Sequence, residues 1–457
     1  MSALIFTIVL GIIVLYLGFV NNKSILSPVA VAGLAISLIL SVKDWGLGSR
    51  YFHDMILFDN FSIAFNVSMI IITIFIFLFG VDYYETMEHH VAEHYALMLF
   101  ALTGAFLMTS FSNLIMLFLG IEILSIPLYV LAGGKKYSYR SNEASFKYFM
   151  MGSFATTIFL FGIALVYGAS ATFYLPEIKT YIAQFNGNLP PMLMVGLLFI
   201  LIGVAFKIAA APFHFWSPDV YEGAPTLVTA FMATVVKTAG FAAFYRLLGM
   251  GLLPLPAQLE KALWVMTFLT LLIGNLGALR QTNFKRLLAY SAISHSGFLM
   301  LAMLSQHGSS ASVLLYYTFV YSLATVPLFI IFIMAKRASD GLEELTIFRG
   351  LYKEKPWIAV LAIVLLMSLA GIPPTSGFMA KYLVFYISIS QGILLTSIFA
   401  IIMAIIGVYY YFFVIREIFT DREQPNPIVV SKINGALIIV CTVAVMVMGI
   451  FIWNLPI

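Results

Sequence analysis

The chain has 457 residues, 62% of them hydrophobic and only 10% charged. Soluble domains carry about a quarter of their residues as charged side chains, so water is not the main solvent of this fold. The formal net charge of +4 comes with no basic stripe interleaved with aromatics, which excludes a nucleic-acid surface.

A helix needs about 20 mostly apolar residues to cross a hydrocarbon core. Fourteen stretches are predicted to do so, in chain order: 2–20, 26–42, 59–81, 95–111, 112–132, 144–168, 192–211 (continuing to 224), 225–248, 262–279, 285–305, 311–335, 357–390, 392–415 and 433–454. The expected fold is an all-α polytopic membrane protein with short loops and no soluble domain. The first stretch lacks a basic leader and is long enough to span, so no cleavable signal is expected. Cys441, the one cysteine, lies in the last span, which leaves no disulfide and no cysteine-ligated cluster within the chain.

Lys and Arg in the loops set the orientation. With the N-terminus outside, fifteen fall in inside loops, Lys285 and Arg286 among them. Five fall outside: Lys43, Arg50, Lys179, Arg246 and Lys261. Both termini are therefore expected on the outer face.

Two spans are too long. Residues 192–224 contain Pro212 and Pro218, and residues 357–390 contain Pro373 and Pro374 in "LAGIPPTSGFMAKYLVF". A continuous helix of either length would reach about 50 Å, against a core of about 30 Å. Both must break, and broken backbone at membrane depth survives only inside protein or against a hydrated cavity. The breaks fall in spans 7 and 12. An odd separation of five spans inverts the second copy, the footprint of two inverted five-helix repeats, spans 4–8 and 9–13. The expected divisions are 1–94 (peripheral spans 1–3), 95–248 (first repeat), 249–415 (second repeat) and 416–457 (span 14).

Ionisable residues at depth are few. Lys207, Lys237 and Lys381 are deep, and Glu122 in "FLGIEILSIPLYV" is the one carboxylate placed there. Lys147 sits nearer a span end, within snorkelling reach of the interface. A charge at the bilayer centre costs about 2.5–3.5 kcal/mol on insertion scales, which makes each a functional candidate or a structural ion pair. Glu122, Ser125 and Tyr129 share a helical face, as do Ser291, Ser294 and His295, and Thr318, Tyr321, Ser322 and Thr325. Such hydroxyl stripes serve helix association as readily as transport. His295 is the side chain best suited to pass protons near neutrality, and His214 follows Pro212 at the first break. A lysine beside a break that admits water is a switchable proton carrier, since burial and a nearby carboxylate pull its proton affinity in opposite directions. His90-Val-Ala-Glu93-His94 matches a zinc-peptidase pattern, but it lies in a short loop with Glu85, Glu88 and His89. It reads as a solvated acidic loop, with no metal site.

"KIAAAPFHFWSPDVYEGAPTLVTAFMATVVKTAGFAAFYRLL" (207–248) closely resembles the N subunits of bacterial respiratory complex I, the proton-pumping NADH:quinone oxidoreductase. "LGIEILSIPLYVLAG", "RLLAYSAISHSGFLM" and "AGIPPTSGFMAKYLVF" match in order, so the resemblance covers about residues 95–415. The related M subunits differ at "SPDVYEGAP" and carry a glutamate where Lys381 stands. The L subunits add a long C-terminal helix absent here. The resemblance implies a modulating pair of Glu122 and Lys207, a central relay at Lys237 and an outlet lysine at Lys381. It also implies a place in the membrane arm of the bacterial inner membrane, beside other antiporter-like and small membrane subunits. FMN, iron–sulfur clusters, NADH and quinone would then belong to partner subunits, because the chain has no G-x-G-x-x-G after a strand and one cysteine. Two other readings stay open: an Mrp-type Na⁺/H⁺ antiporter subunit, and a purely structural membrane-arm subunit.

Overall fold

The computed structural model describes residues 1–20, 23–84, 90–185, 188–339, 341–421 and 427–451. Its helices begin with α1 (Ser2–Leu17), α2 (Leu26–Lys43), α3 (Asn60–Tyr83), α4 (Val91–Ser110) and α5 (Leu114–Ala132). The long α6 (Tyr139–Ser170) and a nine-residue amphipathic α7 (Leu175–Ala183) follow. Next come α8 (Pro191–Lys207), the short α9 (Trp216–Gly223) and α10 (Thr226–Leu252). The second part holds α11 (Ala257–Ala278), α12 (Phe284–Leu304), α13 (Ser310–Arg337), α14 (Pro356–Ala370) and α15 (Ser376–Ser390). The last two are α16 (Leu394–Phe419) and α17 (Lys432–Ile450). A two-stranded antiparallel hairpin, Ser49–Tyr51 with Ile56–Phe58, lies between α2 and α3.

Eleven helices among the described residues are long and apolar enough to cross a membrane, and three shorter ones are as apolar. The chain is thus a polytopic helical membrane protein. Side-chain oxygens start several of the helices: Asp59, Asn113, Ser138, Asn283 and Ser431 each accept from a backbone N–H in the first turn. Two elements were not expected, the hairpin in a fold read as all-α and helix α7. Helix α7 is too short for a span and shows itself only by its apolar residues Leu175, Ile178 and Ile182, which are buried on one face.

Burial divides the helices. Helices α10, α12 and α13 are buried almost throughout, whereas α2, α6, α11, α16 and α17 bury less than half of their spanning windows. Two helix pairs pack through glycine, which lets backbones approach closely where lipid removes the hydrophobic drive to associate. A Cβ on Gly104 of α4 would stand 2.4 Å from the backbone nitrogen of Leu124 on α5, and one on Gly274 of α11 would stand 2.4 Å from that of Ser294 on α12.

The two pairs lie 170 residues apart, and the same offset recurs at their loops. Asn113, before α5, bridges to Tyr174; Asn283, before α12, bridges to Glu344. Around them Leu114 N–H donates to Phe173 O and Leu175 N–H to Ser112 O, and 170 residues on Phe284 N–H donates to Glu343 O and Leu345 N–H to Thr282 O.

Candidate functional site

The helix from Pro191 ends at Lys207, and irregular backbone runs from Ile208 to Phe215 before α9 starts. Pro212 lies inside that break. Pro218 does not: it sits at the third position of α9, where the missing N–H has no partner to lose, so the break closes before it. The second break runs from Gly371 to Thr375 and contains Pro373 and Pro374. Gly371 terminates α14 in the left-handed conformation, φ +83°, the usual glycine end of a helix.

Lys207 is buried and its Nζ donates to Ser125 Oγ at 2.8 Å, while Ser125 in turn donates to Ile121 O. Glu122 lies on the same helix one turn from Ser125 and is half-buried. No carboxylate of the described residues forms an ion pair with that lysine, so the expected pair makes no direct contact and meets through Ser125, one turn from Glu122.

Around Lys207 the freed backbone finds neutral partners. Trp216 Nε1 donates to Phe206 O at 2.9 Å, Ser296 Oγ to Ile208 O at 2.9 Å, and Ala211 N–H to Thr270 Oγ1 at 2.9 Å. Ser296 has a second task. Its hydroxyl accepts from Lys237 Nζ at 2.9 Å, and the same ammonium makes a short bond to Ala292 O. Lys237 follows directly on a π turn, Met232–Val236, within α10. Such turns are rare and concentrate at functional positions. One serine thus joins Lys237 to the broken end of α8.

His295, one residue before Ser296, is buried, with Nδ1 2.7 Å from Tyr317 Oη and Nε2 3.3 Å from Tyr411 Oη. Two small cavities meet at it, each with about 10 Å³ of room, roughly one water. One is lined by Lys237, Thr234, Ser296 and Tyr321, the other by Tyr317, Ser368, Leu369 and Gly377 at the second break. On the far side Lys381 Nζ donates to Leu369 O at 3.2 Å and Ala370 O at 2.8 Å, and lies 5.2 Å from the centre of the Phe298 ring. The three buried lysines and His295 thus follow one another from the first break to the second, with Glu122 beside the first lysine. His214 lies buried within the first break, its Nδ1 without a protein partner.

Several charges sit elsewhere than their position in the chain suggests. Lys285 and Arg246, expected in loops, are 1% and 4% exposed. Lys285 Nζ donates to Ala224 O at 2.8 Å, in the turn between α9 and α10, with Glu343 3.9 Å away. Arg246 holds Asp59 through two 3.0 Å contacts and donates to Phe111 O at 2.7 Å. Lys147 is at an edge, as expected, and pairs with Glu143 and Asp219, both at 2.8 Å. Arg286 reaches the same Asp219 at 2.7 Å and Glu222 at 3.0 Å. The hydroxyls of Thr318, Ser322 and Thr325 bond the backbone of their own helix, whereas Tyr321 of the same stripe lays its ring 4.8 Å from that of His295 on α12. The histidine motif is not a loop: residues 91–94 form the first turn of α4, with His90 as its N-cap, and there His94 Nδ1 meets His90 O and His90 meets Glu93. No metal-holding cluster occurs among the described residues, and Glu85, Glu88 and His89 lie outside them.

Comparison with known proteins agrees with this architecture. The family described as NADH:quinone oxidoreductase/Mrp antiporter, TM, matches residues 111–407. NADH-quinone oxidoreductase subunit N of Flavobacterium johnsoniae is 39% identical, over 98% of this chain and 96% of its own. A chain of respiratory complex I from Thermus thermophilus superimposes with a TM-score of 0.81 at 30% identity, covering 98% and 97% of the two chains. A chain of the Mrp complex from Dietzia shares the fold with a TM-score of 0.86, at 21% identity over 98% and 94%. With near-complete coverage of curated subunits at this identity, the chain belongs to the NADH-quinone oxidoreductase subunit N family of antiporter-like membrane proteins.

Proposed function

We propose that the chain is the antiporter-like, proton-translocating membrane-arm subunit of an NADH:quinone oxidoreductase. The observation that carries this is the row of buried Lys207, Lys237, His295 and Lys381, joined by hydroxyls and water-sized gaps between two helix breaks. Glu122 modulates Lys207 through charge, Lys237 and His295 relay, and Lys381 stands at the outlet. Quinone reduction elsewhere in the complex drives the transfer, with FMN, iron–sulfur clusters, NADH and quinone held by partners. The neighbours are M-type and small membrane subunits in the bacterial inner membrane, and both termini face outward.

The eleven long helices and three shorter apolar ones support fourteen spans, with each broken helix counted once. The constant 170-residue offset of the glycine pairs and loop bridges supports two inverted repeats, 95–248 and 249–415, flanked by 1–94 and 416–457. An Mrp-type antiporter would share the fold, but its likeness at 21% identity carries the fold alone.

The test is to purify the complex from membranes carrying the tagged subunit and then Lys237→Ala. Flavin- and iron–sulfur-containing subunits should co-purify, and the variant should assemble while pumping protons poorly. Purification free of redox subunits would favour the Mrp reading, and loss of assembly a structural role.

A further inference from the structure

His295 has a second polar branch that leads away from the lysines. Tyr411 Oη, 3.3 Å from His295 Nε2, shares a short hydrogen bond with Ser291 Oγ. The ring of the adjacent Tyr410 packs against that of Tyr411, with centroids 4.6 Å apart. All of these side chains are buried. Yet Tyr410 also lines a pocket of about 310 Å³, with Gln281, Thr282, Glu344 and Thr346 at its rim. These rim residues belong to the loops that the charge bias puts inside. Beside Tyr410 lies Asn275, whose Nδ2 donates to Leu271 O while its buried Oδ1 has no protein partner. A Cβ on Gly407 would stand 3.3 Å from that Oδ1 and 3.6 Å from Tyr410 Oη, so the glycine keeps a gap between two polar atoms free of side chain.

We infer that Tyr410, Ser291 and Tyr411 form a second proton inlet, running from the pocket at Glu344 and Thr346 to His295 Nε2 without passing Lys207 or Lys237. With Nδ1–H donating to Tyr317 Oη, Nε2 is the basic nitrogen. Tyr411 gives its hydroxyl proton to Nε2 and takes one from Ser291. Ser291 takes one from Tyr410, and water in the pocket restores Tyr410. Each hydroxyl ends as it began, and the imidazole gains one proton. Loading from this side lets the second half be filled while the first is still discharging.

The inference rests on the proposed pumping role, so its test keeps Lys237→Ala as a separate arm. The assembled complex is reconstituted in proteoliposomes, and NADH-driven acidification and the solvent isotope effect on turnover are measured. The variants are wild type, Lys237→Ala, Tyr410→Phe with Tyr411→Phe, and Thr346→Cys before and after a bulky membrane-impermeant thiol reagent. The phenylalanines keep the rings and remove only the hydroxyls. They should lower pumping about tenfold and enlarge the isotope effect, because proton delivery becomes rate-limiting. Reagent on Thr346→Cys should produce a comparable loss, which the unmodified variant and reagent-treated wild type lack. If Lys237→Ala stops pumping while the tyrosine variants and the plugged cysteine pump at the wild-type rate, the inlet is wrong and the wider reading stands. If Lys237→Ala pumps normally, the wider reading falls and the inlet with it. Should the tyrosine variants fail to assemble, the plugged cysteine alone decides.

Discussion

The two halves of the molecule solve the same backbone problem with different chemistry. Each interrupts one helix in the middle of the bundle and must satisfy the carbonyls that the break sets free. In the first half those carbonyls take neutral donors, Trp216 and Ser296, and Lys207 turns away to Ser125. In the second half the lysine itself caps the broken end, with Lys381 reaching back to Leu369 O and Ala370 O. A cation at a helix C-terminus is favoured by the dipole and by the unpaired oxygens. The difference shows that a lysine at a helix break can leave the freed carbonyls to neutral donors or cap them itself. The 170-residue offset adds a second contrast: Ser125, the partner of Lys207, corresponds to His295, which serves the second half.

The largest expected effect tests that contrast directly. Lys381→Ala leaves two buried carbonyls without their donor, at about 1–3 kcal/mol for each acceptor left unpaired. Lys207→Ala removes a buried cation and leaves Ser125 still bonded to Ile121 O. Thermal stability of the detergent-solubilised complex should therefore fall clearly for Lys381→Ala and little for Lys207→Ala, while both pump poorly. Equal destabilisation would erase the distinction between the breaks.

Ser296→Ala comes next, because this hydroxyl serves both halves. It holds Ile208 O at the first break and accepts from Lys237. Its loss should cost about 1–3 kcal/mol for the orphaned carbonyl and slow pumping several-fold. Ser296→Thr should restore the stability if the added methyl is accommodated, which separates bonding from packing. A wild-type pumping rate in Ser296→Ala would show that the link from Lys237 to the break carries no protons.

Trp216→Phe removes a single neutral bond, from the indole N–H to Phe206 O, while keeping an aromatic ring against Tyr148, whose centroid lies 4.7 Å away. The expected loss is about 1 kcal/mol, read as a modest fall in thermal midpoint. A loss as large as that of Lys381→Ala would mean that the first break depends on its cap as much as the second.

The breaks and the deep lysines were legible because both follow from cost: a 33-residue span cannot stay straight in a core of about 30 Å, and an intramembrane charge must have a reason. What connects them was not. Tyr411 reaches His295 from α16, and Ser296, next to His295, bonds Lys237 and Ile208 of two other elements; a serine or tyrosine in a span costs too little to stand out. Tyr317, one residue before the expected stripe, holds His295 instead of Thr318. Pro218 misled because proline ends a helix in its interior but is at home in its first turn. Lys285 and Arg246 misled for another reason. Span-end position says how near a residue lies to the interface along the chain, but not whether a loop folds over it.

The smallest effect concerns those loops. At the first bridge the residue beside Tyr174 is Phe173, stacked on Tyr167 with centroids 4.2 Å apart; at the second, 170 residues on, it is Glu343. Burial pushes the Glu343 carboxyl up, but Lys285, Lys336 and the Asn283 amide together outweigh it and hold the group below the ordinary carboxylate range. A carboxylate depressed in the folded state adds stability above its unfolded value, near 4.3, and loses it as pH falls through the lower folded value. The second bridge should therefore weaken on acidification below about pH 4, and the first, being aromatic, should not. Glu343→Gln should lower stability at neutral pH and flatten the acid limb of a stability–pH curve, while Phe173→Leu lowers stability by the same amount at every pH. Hydrogen exchange at the N–H groups of Phe284 and Leu345 reads the second bridge locally, and that of Leu114 and Leu175 the first. Acid-induced exchange at both bridges alike would mean that Glu343 is not what sets the difference between them.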